Sequence, residues 1–381
     1  MDLLERFRDA LPRVVDDIRT LVTCESPSDD LAALAASAKL TAELGTAYLG
    51  SEPEQIVLDG RPHLRWRLGD GPRRVLVLCH HDTVWPIGTL DNHPFAVADE
   101  VLRGPGCFDM KTGTVMAFHA IAALAETDGI TVLVTGDEEL GSPSSRQLIE
   151  EEARGCVAAL VLESAGAAGA LKTERKGVSL YQVTAVGRAA HAGLEPEKGV
   201  NASLELAFQL SAVAALGAPE RGTTVTPTAL QAGTTTNTVP AQGRFAVDVR
   251  ARTVVEQQRV DTAIRALRPH LPGAELHVTG GPNRPPLEAV SSAELFERVC
   301  RLAAGQGLAE PAQVSVGGAS DGNFTAGIGV PTLDGLGASG GGAHADDEHV
   351  LVDELPGRIA LLAALLADLL TSALPDPAGA R

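Results

Sequence analysis

Apolar residues at the start of the chain recur three and four apart, and the spacing predicts an amphipathic helix to about residue 22. Cys24-Glu-Ser-Pro-Ser-Asp-Asp30 follows as a turn and helix cap, and residues 31–48 read as a second helix rich in Ala and Leu. The pattern then changes. His63–Gly69 reads as a strand, and the short run Val75–Leu78 is apolar at every position, as in a strand buried on both faces. Lys111–Glu126 reads as a helix, Ile130–Val134 as a second buried strand, 144–153 as a helix and Cys156–Leu162 as a third strand. Strands alternating with helices predict an α/β mixed sheet with a substantial parallel portion and helices on both sides.

After Gly177 the period shifts again. Ser179–Gly187 and Gly243–Arg252 alternate like strands solvated on one face, with helices near 201–215 and 254–268. Strand-helix-strand-strand-helix-strand predicts an inserted α+β, ferredoxin-like module at 177–288, interrupting a larger domain made of 1–176 and 289–381. The apolar run Ile359–Ala367 stops at Asp368. A membrane span needs about 20 residues, so this run reads as a buried helix.

Composition narrows the picture. At roughly 150 residues per domain, 381 residues make two to three domains. The 31 basic and 49 acidic residues leave a formal net charge of −18. That balance argues against a nucleic-acid partner, which needs a basic face, and against docking on anionic lipid. The 44% apolar and 21% charged residues are those of a soluble globular chain. Five cysteines with no CxxC spacing read as reduced thiols in a cytoplasmic protein. The N-terminal segment has charges throughout and no apolar h-region, so it reads as a helix rather than a signal peptide.

Acids and histidines gather where apolar strands end, the usual place for ligand groups in an α/β sheet. In Cys79-His80-His81-Asp82-Thr83, the residues flanking His81 share one face of an extended chain. One can therefore hold a metal while the other fixes its ring. Arg103-Gly-Pro-Gly-Cys-Phe-Asp109-Met-Lys-Thr-Gly113 sets an acid at a Gly-rich turn opening a helix; taken alone, Asp109 reads as a helix cap. Asp137-Glu138-Glu139 follows a buried strand, where three acids are costly unless solvated, paired or metal-bound. Glu163 ends another strand, and His344 sits in Gly340-Gly-Gly-Ala-His344-Ala-Asp346. Together these residues fit two oxygen- and nitrogen-rich sites for zinc, manganese or cobalt, with a shared carboxylate holding both ions.

The set His80-x-Asp82, Gly106-x-x-Asp109-x-Lys111, Asp137-Glu138-Glu139, Glu163 and His344 resembles the co-catalytic metallopeptidases of the M20 family, and within it the glutamate carboxypeptidase group, over residues 20–370. The resemblance implies two Zn²⁺ ions. His80 and Glu163 would hold one, Glu139 and His344 the other, and Asp109 would bridge them. Asp82 would orient the ring of His80. Glu138 would be the general base, moving a proton from the metal-bridged water to the leaving amine. A cis peptide after Asp109 is also implied.

The inserted module extends the likeness. Gly187-Arg-Ala-Ala-His191-Ala-Gly193 is similar to a family segment whose histidine, here His191, would reach into a partner subunit's site and stabilise the oxyanion. Thr236-Asn237-Thr238-Val239-Pro240 resembles the family's N-x-x-P turn, with Asn237 a donor to substrate. Arg250 would grip a substrate carboxylate through a bidentate fork. Gly317-Gly-Ala-Ser-Asp321-Gly resembles a loop beside the metals, in which Asp321 reads as structural. Lys172, Arg175 and Lys176 are candidate cations for an acidic substrate side chain. Serine-hydrolase, phosphate-loop and dinucleotide fingerprints are absent from the sequence.

The resemblance thus implies a homodimeric di-zinc hydrolase that releases a C-terminal amino acid from a small peptide or N-acyl substrate, with the module as lid and dimerisation surface. The alternatives are an N-acyl-amino-acid amidohydrolase, a dipeptidase, and, from a different class, a non-catalytic metal-binding scaffold.

Overall fold

A computed structural model describes residues 2–371. The chain divides into two compact units. The first takes in the described residues up to Glu174, then Ala289–Val316, then those from Ser320 on; the second is Arg175–Glu288 with Gly317–Ala319. The predicted domain end at 372–381 lies outside the described residues.

The first unit opens with α1 (Leu3–Val22), which buries Phe7, Val14, Ile18, Leu21 and Val22 along one side. The Asp30 side chain caps α2 (Leu31–Leu49) by accepting from the amides of Ala32 and Ala33. Strands β1 (Glu54–Leu58), β2 (Arg61–Arg67) and β3 (Val75–His80) follow. Then come α3 (Thr112–Ala122), β4 (Ile130–Thr135), α4 (Arg146–Ala153) and β5 (Ala158–Val161). Helix α3 stops four residues before the predicted Glu126. There the amides of Ala123 and Leu124 turn back to Ala120 and Ile121, and the Glu126 carboxylate accepts from the amides of Thr127 and Asp128. Side-chain acceptance of that kind competes with helix continuation.

In the second unit, β6 (Gly177–Val186), α5 (Ala202–Ala214), β7 (Thr224–Ala232), β8 (Gln242–Ala251), α6 (Val254–Arg265) and β9 (Glu275–Arg284) succeed one another. The strands form one antiparallel sheet in the order β7-β8-β6-β9. Phe245, Val247 and Val249 of β8 pack inward with Tyr181 and Val183 of β6, Leu206 of α5 and Val260 of α6. The alternating sequence pattern follows from this: one sheet face meets two helices, and the other does not.

The chain then returns to the first unit with α7 (Ala289–Gly305), α8 (Gly322–Gly327), β10 (Thr332–Leu333) and α9 (Leu355–Thr371). The central sheet has the order β1-β2-β4-β3-β5-β10. Strands β4, β3, β5 and β10 run parallel, and the β1–β2 hairpin joins antiparallel at the edge. Along β3, Val75, Val77 and Cys79 face a core built with α1, α3 and α9. Leu76 and Leu78 face the opposite core, with Leu148 of α4 and Phe324 of α8. Both faces are covered, which is why β3 is apolar from Val75 to Cys79. Among the described residues, no helix is long and apolar enough to cross a membrane.

Candidate metal centre

The parallel register pairs Leu78 with Leu133 and Val161. It therefore brings the carboxyl ends of β3, β4 and β5 level, with His80 at the end of β3 and Glu138, Glu139 and Glu163 just beyond β4 and β5. Asp109 arrives from the segment leading into α3, and His344 from the Gly-rich loop after Gly340–Gly341. Residues 80, 82, 109, 138, 139, 163 and 344 thus meet at one edge of the sheet. Donor atoms of His80, Glu138 and Glu163 lie within 4.8 Å of one another, as do those of His80, Asp109 and Glu139.

Four separations define the cluster. His80 Nε2 lies 3.2 Å from Asp109 Oδ1 and 3.5 Å from Glu163 Oε1. His344 Nε2 lies 3.3 Å from Asp109 Oδ2 and 3.2 Å from Glu139 Oε1. Asp109 therefore turns one oxygen to each imidazole. Ligands at about 2.0–2.2 Å from a tetrahedral zinc sit roughly 3.3–3.5 Å apart, the spacing seen here. A charge-assisted N–H···O⁻ hydrogen bond would be nearer 2.7–2.9 Å. The donor set and its spacing fit two divalent ions sharing Asp109.

Electrostatics agree. Burial would push the His80 imidazole down, but the neighbouring carboxylates of Asp109, Asp82 and Glu163 outweigh it and hold its pKa well above the usual value. Asp109, with Glu139, raises His344 to about 10. Asp109 itself lies below the ordinary carboxylate range, because His344 and His80 outweigh its burial. Burial pushes Glu139 up. A site that draws protons onto two imidazoles is one in which a cation would displace them.

The chain also orients the donors. The His80 Nδ1 proton goes to the main-chain carbonyl of Asp82 at 2.9 Å, since a carbonyl can only accept. That leaves Nε2 facing the acids, as the nitrogen whose proton a cation would displace. The Asp82 carboxylate, expected to orient the ring, stands 3.5 Å from Nδ1. It accepts instead from Ser28 Oγ at 2.7 Å and from the amides of Glu138 and Glu139 at 3.2 Å each. Fully buried, it fixes the turn that presents both glutamates. Nearby His80 and the Ser28 hydroxyl keep its pKa low against burial.

Three further supports were not evident from the sequence. Buried Glu348 accepts from the amides of Gly106, Phe108 and Asp109 and from the Trp85 indole. The Lys111 Nζ donates to the Cys24 carbonyl at 2.7 Å; burial pushes it down to about 8. Buried His63 accepts from the Gly136 amide through Nδ1 at 3.1 Å, so its Nε2 donates to Ser144 Oγ at 3.2 Å. The Asp109–Met110 peptide is cis. Gly106 has φ +69°, and a Cβ there would sit 2.5 Å from Thr83 Cγ2, so glycine is required where this segment passes β3.

The remaining candidates are placed as follows. Asp321 accepts from Thr135 and Ser142 hydroxyls beneath the site. Lys172 Nζ donates to Ser164 Oγ at 3.3 Å. Arg175 is buried, with Nη1 donating to the Gly318 carbonyl at 3.3 Å. His191 and Asn237 lie side by side in the second unit: Ala190–His191 pairs with Thr238–Val239, and the Ala192 amide donates to the Asn237 carbonyl at 2.9 Å. Arg250, on β8, turns its fork onto Asp248 two residues before it, at 2.8 and 2.9 Å.

Comparison with known proteins follows the same lines. The sequence pattern of peptidase family M20/M25/M40 matches residues 76–368. Carboxypeptidase G2 of Pseudomonas sp. (strain RS-16) is 30% identical over 96% of this chain and 92% of its own length. Succinyl-diaminopimelate desuccinylase of Dechloromonas aromatica (strain RCB) is 28% identical over 85% of this chain and 91% of its own. Among solved structures, the YXEP protein of Bacillus subtilis, described as a dinuclear metal-binding peptidase, superposes with a TM-score of 0.65 at 15% identity, covering 96% of this chain and all of that one. With the family match covering residues 76–368, the chain belongs to peptidase family M20/M25/M40 and is a metal-dependent hydrolase of that family.

Proposed function

We propose that this protein hydrolyses an amide bond to release a C-terminal amino acid with a free carboxylate, in the manner of a glutamate carboxypeptidase. The observation that carries the reading is Asp109 set between two imidazoles at ligand–ligand spacing, with Glu138 beside them. His80 and Glu163 would hold one zinc, Glu139 and His344 the other, and Asp109 both; manganese or cobalt would suit the same donors. Two such ions supply Lewis-acid polarisation of a carbonyl and a water acidified towards neutral pH.

The chain's own residues do the rest. Asp82 holds the amides of Glu138 and Glu139, so the two side chains diverge into separate tasks. Glu138 Oε takes the proton of the attacking water and returns it to the leaving nitrogen. His80, fixed through Nδ1, keeps one tautomer throughout. His191 would donate to the oxyanion across a subunit interface, and Asn237 beside it to a substrate carbonyl. Arg250 would exchange Asp248 for the substrate carboxylate, a bidentate match to its fork.

The second unit would serve as lid and dimerisation surface. In support, Leu204 and Phe208 lie exposed on α5, and β7 is an edge strand of its sheet. The free cysteines Cys24, Cys79, Cys107, Cys156 and Cys300 suit a reducing compartment such as the cytoplasm. A second reading, an N-acyl-amino-acid amidohydrolase, is favoured by the match to a desuccinylase.

The test is amino-acid release from N-acyl amino acids, dipeptides and folate-like glutamyl amides, by zinc-loaded wild type beside Glu138→Ala. Release confined to glutamate or aspartate conjugates, falling by about 10²–10⁴ in the variant, is the expected result. Release from aliphatic or aromatic N-acyl amino acids would move the protein to the second reading. Equal release by both proteins would overturn Glu138 as base.

A further inference from the structure

Glu348 is fully buried and lies four residues beyond His344. Its Oε1 accepts from the amides of Phe108 at 2.8 Å and Asp109 at 3.0 Å. Its Oε2 accepts from the Gly106 amide at 2.9 Å and Trp85 Nε1 at 2.7 Å. Four donors on two oxygens leave no place for a proton, so the arrangement needs the carboxylate. The Glu348 amide donates in turn to the Ala345 carbonyl at 2.9 Å. One side chain thus ties together the segment that carries Asp109, the loop that carries His344, and, through Trp85, the chain just after Asp82.

We propose that Glu348 is the positioning residue that holds the Asp109 carboxylate between the two imidazoles, an assignment that rests on the dinuclear reading above. The hydrogen bonds it accepts from the amides of Phe108 and Asp109 fix the backbone from which the Asp109 side chain springs. Asp109 must offer one oxygen on each side at 3.2 and 3.3 Å, and metal sites tolerate only about 0.2 Å of error. Residues that orient a ligand in this way change metal affinity by about 10–100-fold when altered. A carboxylate whose task was only to bury four donors would affect stability and leave the metal site as it was.

The test compares wild type with Glu348→Gln, Glu348→Asp and Trp85→Phe by cobalt(II) titration of the full chain stripped of metal. Stoichiometry, affinity and the visible spectrum are read alongside circular dichroism. Glu348→Gln keeps the size of the side chain but turns an NH₂ towards two of the four donors. The expected result is a folded variant whose cobalt(II) affinity is about 10–100-fold lower and whose visible spectrum is altered. Glu348→Asp, which keeps the charge on a shorter arm, is expected to fall between, and carries the test should the Gln variant not fold. Trp85→Phe removes one donor to Oε2, the oxygen that does not bond the Asp109 amide, and is expected to change affinity less than about threefold. Wild-type affinity and spectrum in the folded Glu348 variants would overturn the proposal, as would an equal loss in Trp85→Phe. Wild type that fails to take up two equivalents would overturn the dinuclear reading itself.

Discussion

Asp82 shows how one residue serves several neighbours. Its carbonyl sets the tautomer of His80, while its carboxylate fixes the Glu138–Glu139 turn. The spacing His-x-Asp makes the pairing with His80 legible in the sequence. It does not tell which acceptor is used, because that depends on where the chain bends after β3. His80, Asp109, Glu138, Glu139, Glu163 and His344 are legible because each follows an apolar strand or sits at a glycine turn. Glu348 is not, since nothing local separates it from Asp346 and Asp347. His63 yields a prediction at this scale. Burial lowers its pKa from 6.5, so the unfolded chain binds the proton more readily than the folded one. Its contribution is then complete above pH 6.5 and is lost as pH falls from there towards the lowered folded value. Urea unfolding between pH 7.5 and 5.5 is expected to show a steeper loss of stability in wild type than in His63→Gln; parallel slopes would rule it out.

At the scale of elements, α3 and the end of β5 approach too closely for a side chain. A Cβ on Gly113 would lie 2.0 Å from the Leu162 carbonyl oxygen, one residue before Glu163. Backbone on both sides cannot yield as a flexible side chain would. Gly113→Ala is expected to cost about 2–4 kcal/mol by denaturant unfolding and to weaken metal binding by displacing Glu163. Gly305, at the end of α7, has open space around its Cβ position. Gly305→Ala is expected to be neutral or to stabilise by about 0.5–1 kcal/mol, and equal losses at the two positions would refute the close-approach argument. Strand β3 is legible because its apolar run is buried at every position, and helix α9 because six of the nine residues of Ile359–Ala367 are buried. The end of α3 is not, because a side-chain acceptor at Glu126 decides it.

For the whole molecule, the two compact units have separate hydrophobic cores, and the metal cluster belongs to the first alone. Chelation is therefore expected to lower the stability of the first unit only. A ligand at 100 times its Kd contributes about 2.7 kcal/mol. Calorimetry with and without chelator is expected to move one component of the melting profile and leave the other in place; a uniform shift would show that the units melt together. The change of period near Gly177 makes the insertion legible. The capture of Gly317–Ala319 by the second unit is not legible, because that stretch carries no periodic pattern of its own.

The discontinuity of the first unit has a consequence for how the protein is made. The clustered residues run from His80 to His344, and the whole of Arg175–Glu288 is translated between Glu163 and His344. At about 5–20 residues per second, a ribosome takes roughly 10–35 s to pass from one to the other. Through most of that interval the nascent chain holds β3, β4 and β5 without β10 beside β5, and throughout it without α9 over Val75 and Val77. The emerging sheet already has α1 and α3 on one face, yet it stays without part of its apolar cover until α9 is released.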